Sequence, residues 1–329
     1  MSGWLPLVFL ALMGLAILLY VVLDGYDLGV GILLRRASDA DKDRMIASIG
    51  PFWDANETWL VLGVGILLVA FPSAHGIILG GLYLPVAAML AGLILRGVAF
   101  DFRVKAHDDH RALWNGVFYA GSLLATLSQG FMLGIYLLGF RYTLAGVAFA
   151  SLIALSLVAG YCLLGATWLI LKCEGKLLAR ATAWAQRSLW LTGVGIVAIS
   201  IATPWASHRI FDKWFAYPNL LFLAPIPLLT ALVFLLCNRS LARMRGGQAQ
   251  PAWLPFACAV GLFVLDFIGL AYSLFPYLVV DRITYLDAAS APESLRFMLF
   301  GVALALPAIL GYTAWSYWIF RGKARALRY

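Results

Sequence analysis

Apolar stretches close to 20 residues long recur along the whole chain, and no other feature limits its fold as tightly. Each is about long enough to cross a ~30 Å hydrocarbon core as a helix. In lipid, backbone N–H and C=O groups must be satisfied internally, so such stretches fold as helices. They lie at about 5–34, 53–71, 77–100, 113–140, 144–171, 188–206, 218–237, 252–280 and 295–320. Nine crossings leave no room for a soluble domain, so residues 1–329 read as a single polytopic membrane domain of the all-α class. The composition agrees: 63% of the 329 residues are hydrophobic and 12% are charged. Soluble domains are roughly 45–50% apolar and a quarter charged. The first 34 residues contain no Lys or Arg, so the basic n-region of an ordinary signal peptide is not expected. Pro85, Pro225, Pro227 and Pro307 fall inside spans and are expected to kink them.

A formal net charge of +8 invites a nucleic-acid partner, but the placement of the charge argues against one. Arg35, Arg36, Lys42 and Arg44 share one loop. Arg103, Lys105 and Arg111 share the next loop on that side, followed by Lys172, Lys176, Arg180 and Arg187. Arg239, Arg243 and Arg245, and then the tail with Arg321, Lys323, Arg325 and Arg328, complete the set. The alternate loops hold only Arg141, Arg209, Lys213 and Arg282. The positive-inside rule therefore puts the N-terminus outside and the C-terminus in the cytoplasm, as an odd number of crossings requires. The loops are short, so consecutive helices should pack as antiparallel neighbours. Cys162, Cys173, Cys237 and Cys258 form no CxxC pair and are expected to be reduced and structural.

The polar residues inside these spans carry the chemistry. The first span ends DGYDLGVG, with Asp24 and Asp27 at i and i+3 on one helix face. Gly25 and Gly29 beside them form a small-xxx-small pair that lets another helix approach closely. The second span opens FWDANETW, with Asp54 and Glu57 again at i and i+3, Asn56 between them, and Trp53 and Trp59 flanking. The third ends with Arg96 and Asp101. All six charged residues fall at the expected cytoplasmic end of consecutive helices. Asp27 lies seven residues from Leu34, or ~10 Å deep at 1.5 Å per residue. A charge at the bilayer centre costs about 2.5–3.5 kcal/mol on insertion scales, so intramembrane carboxylates are candidates for proton relays. Two plainer readings stand beside this one. Acids within two turns of a helix end can be wet, and Asp54 suits the dipole of a helix N-terminus. Trp53 and Trp59 fit interfacial anchors or the walls of a pocket equally well. Asp266 stands apart, near the middle of the eighth span.

No histidine falls mid-membrane. His75 and His208 lie near the outer ends of spans, and His107 and His110 lie in a loop beside Asp108 and Asp109. Haem is ordinarily ligated by His, or by His and Met, so the chain is expected to ligate no haem iron. Met89, Met132 and Met298 read as packing residues. The loop histidines read as solvated rather than as a metal site, and neither a Walker loop nor a hydrolytic triad is present.

DGYDLGVG (24–31), IGPFWDANETWLVLGVGILLVAFP (49–72) and RGVAFDFR (96–103), in that order, resemble subunit II of the cytochrome bd-type quinol oxidases, the cyanide-insensitive branch included. FPYLV (275–279) and GYTAWSYW (311–318) resemble the last two spans of that family. The resemblance is dense over about the first 115 residues, thinner from 120 to 250, and visible again at the end. It implies nine transmembrane helices arranged as two four-helix bundles plus one peripheral helix. It implies a respiratory complex in the bacterial inner membrane that oxidises quinol and reduces dioxygen to water. Subunit I, an obligate partner, would hold two b-type haems, a d-type or third b-type haem, and the quinol-oxidation site. Subunit II would ligate no haem iron and would help form a cytoplasmic proton path, to which Asp54 and Asp27 correspond residue by residue. The family also admits small single-helix accessory subunits and, in some members, a quinone held by subunit II, although no residue here marks such a site. Two departures matter. Other branches carry glutamine where this chain has Glu57, and the family's proline and serines after FPYL are replaced by VVDRIT (279–284).

The proton path is thus expected to use Asp54, Asp27, Glu57 and Asp24, with Trp53, Asn56, Trp59, Arg96 and Asp101 in support. One rival is a purely structural scaffold for subunit I. Another is a proton-coupled secondary transporter, which would need polar groups at broken helices near the midplane. Asp266 is the single mid-membrane charge and has no such setting.

Overall fold

In the computed structural model, residues 3–105 and 108–324 are described. The chain runs through α1 (Leu5–Leu33), a 3-10 turn (Leu34–Arg36), α2 (Asp39–Ile49), α3 (Trp53–Ala70), α4 (Pro72–Gly81), α5 (Tyr83–Lys105) and α6 (Asp108–Leu137). It continues through α7 (Leu144–Lys172), α8 (Gly175–Ala206), α9 (His208–Phe215), α10 (Asn219–Leu223), α11 (Pro225–Arg245), α12 (Trp253–Leu274), a two-stranded hairpin and α13 (Pro292–Ile319). Among the described residues nine helical segments are long and apolar enough to cross a membrane.

The helix ends depart from the sequence expectation in instructive ways. The loop expected at 35–52 contains α2, whose first turn carries Asp39 and Asp41 where the helix dipole favours acids. α8 begins at Gly175, well before the expected 188, because the basic segment KLLARATAWAQR is rich in good helix formers. The stretch expected to run helically to 280 stops at Leu274, one residue before the Phe275–Pro276 bond, since a residue preceding proline is pushed out of the α region. Tyr277–Val279 and Ile283–Thr284 then pair as a short antiparallel hairpin. Three of the four prolines expected to kink spans instead occupy the first turns of α5 and α11, where the missing N–H has no partner to lose. Pro307 is internal to α13, and Pro204, not singled out from sequence, is internal to α8.

α1 is the axis of the structure. It packs against α3, α6 and α7, and every residue from Asp24 to Leu33 is buried. Its crossing with α7 is possible only because both helices present glycine. A Cβ on Gly29 would sit 1.8 Å from the carbonyl oxygen of Tyr161, and one on Gly165 would sit 2.5 Å from Gly29 itself. α5 packs on α6, α7 on α6, α8 and α12, and α11 on α8 and α12. α13 lies apart, with Leu295 its only buried residue. Its ends are tied instead. Ser290 just before it bonds the backbone of Val69 and Ala70, and Tyr317 near its close stacks on Phe52 at 4.4 Å. Beyond α13, Lys172 donates to the Phe320 carbonyl and Lys323 donates to the carbonyls of Leu171 and Cys173.

Candidate functional site

α1 reaches the Lys/Arg-rich end of the molecule at Arg35, α3 starts back from that end at Trp53, and α5 returns to it at Arg103. The motif residues therefore meet at one level. Asp24 and Asp27, a helical turn apart on α1, are both fully buried. Arg96 comes from α5, also buried, and its Nη1 donates to Asp24 Oδ1 at 2.7 Å. Its Nη2 donates to Glu57 Oε1 on α3, so one guanidinium clamps carboxylates from two helices. Glu57 retains 27% side-chain exposure and forms the outer rim of this cluster. Trp53 closes one side, its ring 6.0 Å from the Arg96 guanidinium carbon and 4.9 Å from Phe100.

Asp27 belongs to a second, connected network. Asn56 Nδ2 donates to Asp27 Oδ2 at 2.8 Å, and lies 2.9 Å from the Tyr26 hydroxyl and 3.3 Å from the Leu23 carbonyl. The hydroxyl of Tyr317 donates to Asn56 Oδ1 at 3.2 Å and meets that of Tyr26 at 2.6 Å. The last helix is thereby joined to the first and the third. A turn deeper on α1, Tyr20 accepts from Gln129 Nε2 at 2.7 Å, and Gln129 Oε1 accepts from the Tyr161 hydroxyl at 2.7 Å. Tyr20 is at i−4 from Asp24 on the same face, so this chain of polar groups continues inward from the ion-paired cluster. Asp24 Oδ2, Asp27 Oδ1 and Arg96 Nε are buried with no protein partner among the described residues.

Of the residues expected from sequence, Asp24, Asp27, Asn56, Glu57, Arg96 and Trp53 come together. Asp54 and Asp101 do not join the network. Asp54 is exposed in the first turn of α3, one turn outward from Glu57, and Asp101 is exposed on α5. Trp59 is buried, but it packs with Ala16 and Tyr20 on the deeper side rather than over the acids. Asp266 is exposed on α12, away from the site. Of the loop histidines, His107 lies outside the described residues, and His110 is exposed, as is His208. His75 is half-buried.

Sequence reasoning missed Tyr20, Tyr26, Gln129, Tyr161 and Tyr317 as members of the network. Tyr26 and Tyr317 stood in quoted motifs, and a glutamine in the middle of an apolar span is itself a signal. Intramembrane polar side chains are usually paired.

A comparison of the whole chain with known proteins bears on this site. At 28% identity over 331 residues it is similar to "Cytochrome bd ubiquinol oxidase subunit 2" of Bacillus subtilis (strain 168), covering 92% of each chain. At 28% over 361 residues it is similar to "Cytochrome bd-I ubiquinol oxidase subunit 2" of Escherichia coli (strain K12), covering 95% of this chain and 93% of the relative. Its fold resembles a chain from "The structure of bd oxidase from Geobacillus thermodenitrificans", with a TM-score of 0.77, 17% identity, and 96% and 98% of the two chains covered. The family described as cytochrome bd terminal oxidase subunit II matches residues 5–320, and the chain belongs to that family.

Proposed function

We propose that this chain is the non-haem-ligating subunit II of a quinol-oxidising, dioxygen-reducing complex of the bacterial inner membrane. Its carboxylates form part of the path by which cytoplasmic protons reach the oxygen-reducing haems. The N-terminus faces outward and the C-terminus the cytoplasm, so the Lys/Arg-rich end and the site beneath it face the proton source. α1, α3, α5 and α6 form one four-helix bundle, α7, α8, α11 and α12 the second, and α13 is the peripheral helix. Subunit I is the obligate partner and holds two b-type haems and a d-type or third b-type haem. Those haems supply the oxygen-reducing chemistry.

The observation that carries the reading is the charge balance of the buried cluster. One guanidinium, that of Arg96, serves the carboxyl groups of Asp24, Glu57 and, at longer range, Asp27. In so dry a setting neutrality is reached when two of the three are protonated, which gives the cluster protons to pass on. Asp54, exposed one turn outside Glu57, receives protons from water. Glu57 at the rim exchanges them with the interior. The free oxygens of Asp24 and Asp27 are the inner positions, and the hydroxyls of Tyr20 and Tyr26 extend the hydrogen-bonded chain.

The Arg96 clamp also favours a second reading, in which the acids fix α1, α3 and α5 against one another and serve assembly alone. Asp27→Asn in the purified complex separates the two. The relay reading expects near-normal haem spectra and complex yield with oxygen consumption reduced about tenfold or more, since each ~1.4 kcal/mol of barrier is tenfold in rate. Loss of the complex itself, with normal turnover in whatever assembles, would favour the scaffold.

A further inference from the structure

We propose that the cleft between the end of α1 and the first turns of α6 binds the headgroup of an anionic phospholipid. This rests on the membrane-spanning reading of the chain and is independent of the proton path. The cleft has a volume of about 310 Å³ and is bounded by Leu34, Arg35, Lys42, Asn115, Gly116 and Tyr119, among others. It straddles the edge of the apolar zone. Arg35 and Lys42 sit at the rim, while Gly116 and Tyr119 lie within the apolar segment that runs from His110 to Leu137.

Of the two described cations that line the cleft, Arg35 and Lys42, Arg35 is left without a carboxylate. Each acid of α2 is already engaged: Asp39 by Lys42 at 2.7 Å, Asp41 by Arg180 at 2.7 Å, and Asp43 by Arg103. Arg35 has no carboxylate partner among the described residues, and its guanidinium rests over the Tyr119 ring at 5.3 Å. The Lys42 pair is weak competition, because the Asp39 side chain is 93% exposed and an ion pair that wet holds its lysine loosely. Asn115 adds a neutral donor. Its Oδ1 accepts from Arg103 Nε at 2.6 Å, which turns its NH₂ group away from that arginine. Two cations and an amide suit a phosphate oxygen set, and no carboxylate of the described lining residues could receive the ammonium of a zwitterionic lipid.

The floor selects lipid over a free anion. A Cβ on Gly116 would meet nothing within 4 Å, so the helix surface beneath the cations is bare. Ala112, exposed one turn before it, and the Tyr119 ring line the same cleft, apolar surface along which an acyl chain can run. Inorganic phosphate would use the rim and leave this floor in contact with nothing.

The purified two-subunit complex in detergent, titrated with short-chain phosphatidylglycerol and read by native mass spectrometry, tests the assignment. The wild type is expected to hold one equivalent that short-chain phosphatidylcholine and inorganic phosphate do not displace at equal concentration. Arg35→Gln combined with Lys42→Gln should weaken that equivalent roughly tenfold or more, since each basic residue near an anionic lipid surface contributes measurably. Gly116→Leu keeps both charges, suits a helix better than glycine, fills open space, and should weaken the same equivalent by obstructing the floor. Quinol-driven turnover in detergent is the folding control for all variants and should stay at the wild-type level. Unchanged phosphatidylglycerol affinity in either variant overturns the proposal. Equal binding of phosphatidylcholine overturns it, and so does displacement by inorganic phosphate, which would mark a free-anion site.

Discussion

Arg96→Met is the perturbation whose size follows most directly from the structure. Methionine keeps much of the volume of the side-chain stem but removes the donors to Asp24 Oδ1 and Glu57 Oε1. Glu57, at 27% exposure, can turn to solvent, whereas Asp24 is fully buried and has no other cation within the cluster. Breaking a buried pair by removing one partner costs about 3–5 kcal/mol. Because one of the two acids escapes, the lower end applies, about 3 kcal/mol or roughly a hundredfold in the assembled population. The assay is the yield of haem-loaded complex by size-exclusion chromatography, together with its thermal midpoint. Arg96→Met should lose most of the complex, and Asp24→Asn added to it should restore much of the yield by removing the stranded charge. Such coupling between two substitutions is the signature of direct contact. If Arg96→Met accumulates at the wild-type level with an unchanged midpoint, the ion-paired clamp described above does not hold the helices together.

Tyr317→Phe removes hydrogen bonds to Asn56 and Tyr26, worth about 0.5–1.5 kcal/mol each, and should lower the thermal midpoint of the complex while leaving its haem spectrum intact. Gly29→Ala places a methyl group 1.8 Å from the Tyr161 carbonyl oxygen and should abolish assembly in pull-down with subunit I, whereas Gly116→Ala should be silent in the same assay. Burial pushes the Cys173 thiol, just beyond α7, up to about 11. The thiolate is the reactive form, so maleimide labelling of Cys173 should be slow at pH 8 and rise about tenfold per pH unit until near that value. Glu57→Gln retains an acceptor for Arg96 and should slow oxygen reduction less than Asp27→Asn does, measured side by side.

The location of the site was legible in the sequence because charges in apolar spans stand out. Asp24, Asp27, Asp54, Glu57 and Arg96 could be assigned to one end of three helices from spacing and loop charge alone. What spacing did not reveal was who pairs with whom. Asp54 and Glu57 share a helix face on paper, yet Glu57 turns to Arg96 while Asp54 stays in water, because the partner comes from a helix about 40 residues later. Tyr317 was less legible still. Tyrosine near a span end usually marks the interface, and only the return of α13 across α1 and α3 turns it into a partner of Asn56. The helix ends at Gly175 and Leu274 were misjudged for a related reason. Hydropathy marks where a span meets lipid, whereas propensity and proline mark where the helix starts and stops.

The central claim is that carboxylates of this chain carry the protons consumed in oxygen reduction. Proton uptake by the fully reduced complex, followed with a pH-indicating dye during a single turnover after exposure to dioxygen, tests it most directly. Asp54 is exposed in the first turn of α3 and its side chain forms no hydrogen bond or ion pair among the described residues, so Asp54→Asn should preserve the haem spectra. Uptake should slow about tenfold or more in that variant, with the same delay in the oxygen-reduction phase that depends on protons. Uptake at the wild-type rate, in a complex with intact haems, would contradict the claim and leave these acids a structural role.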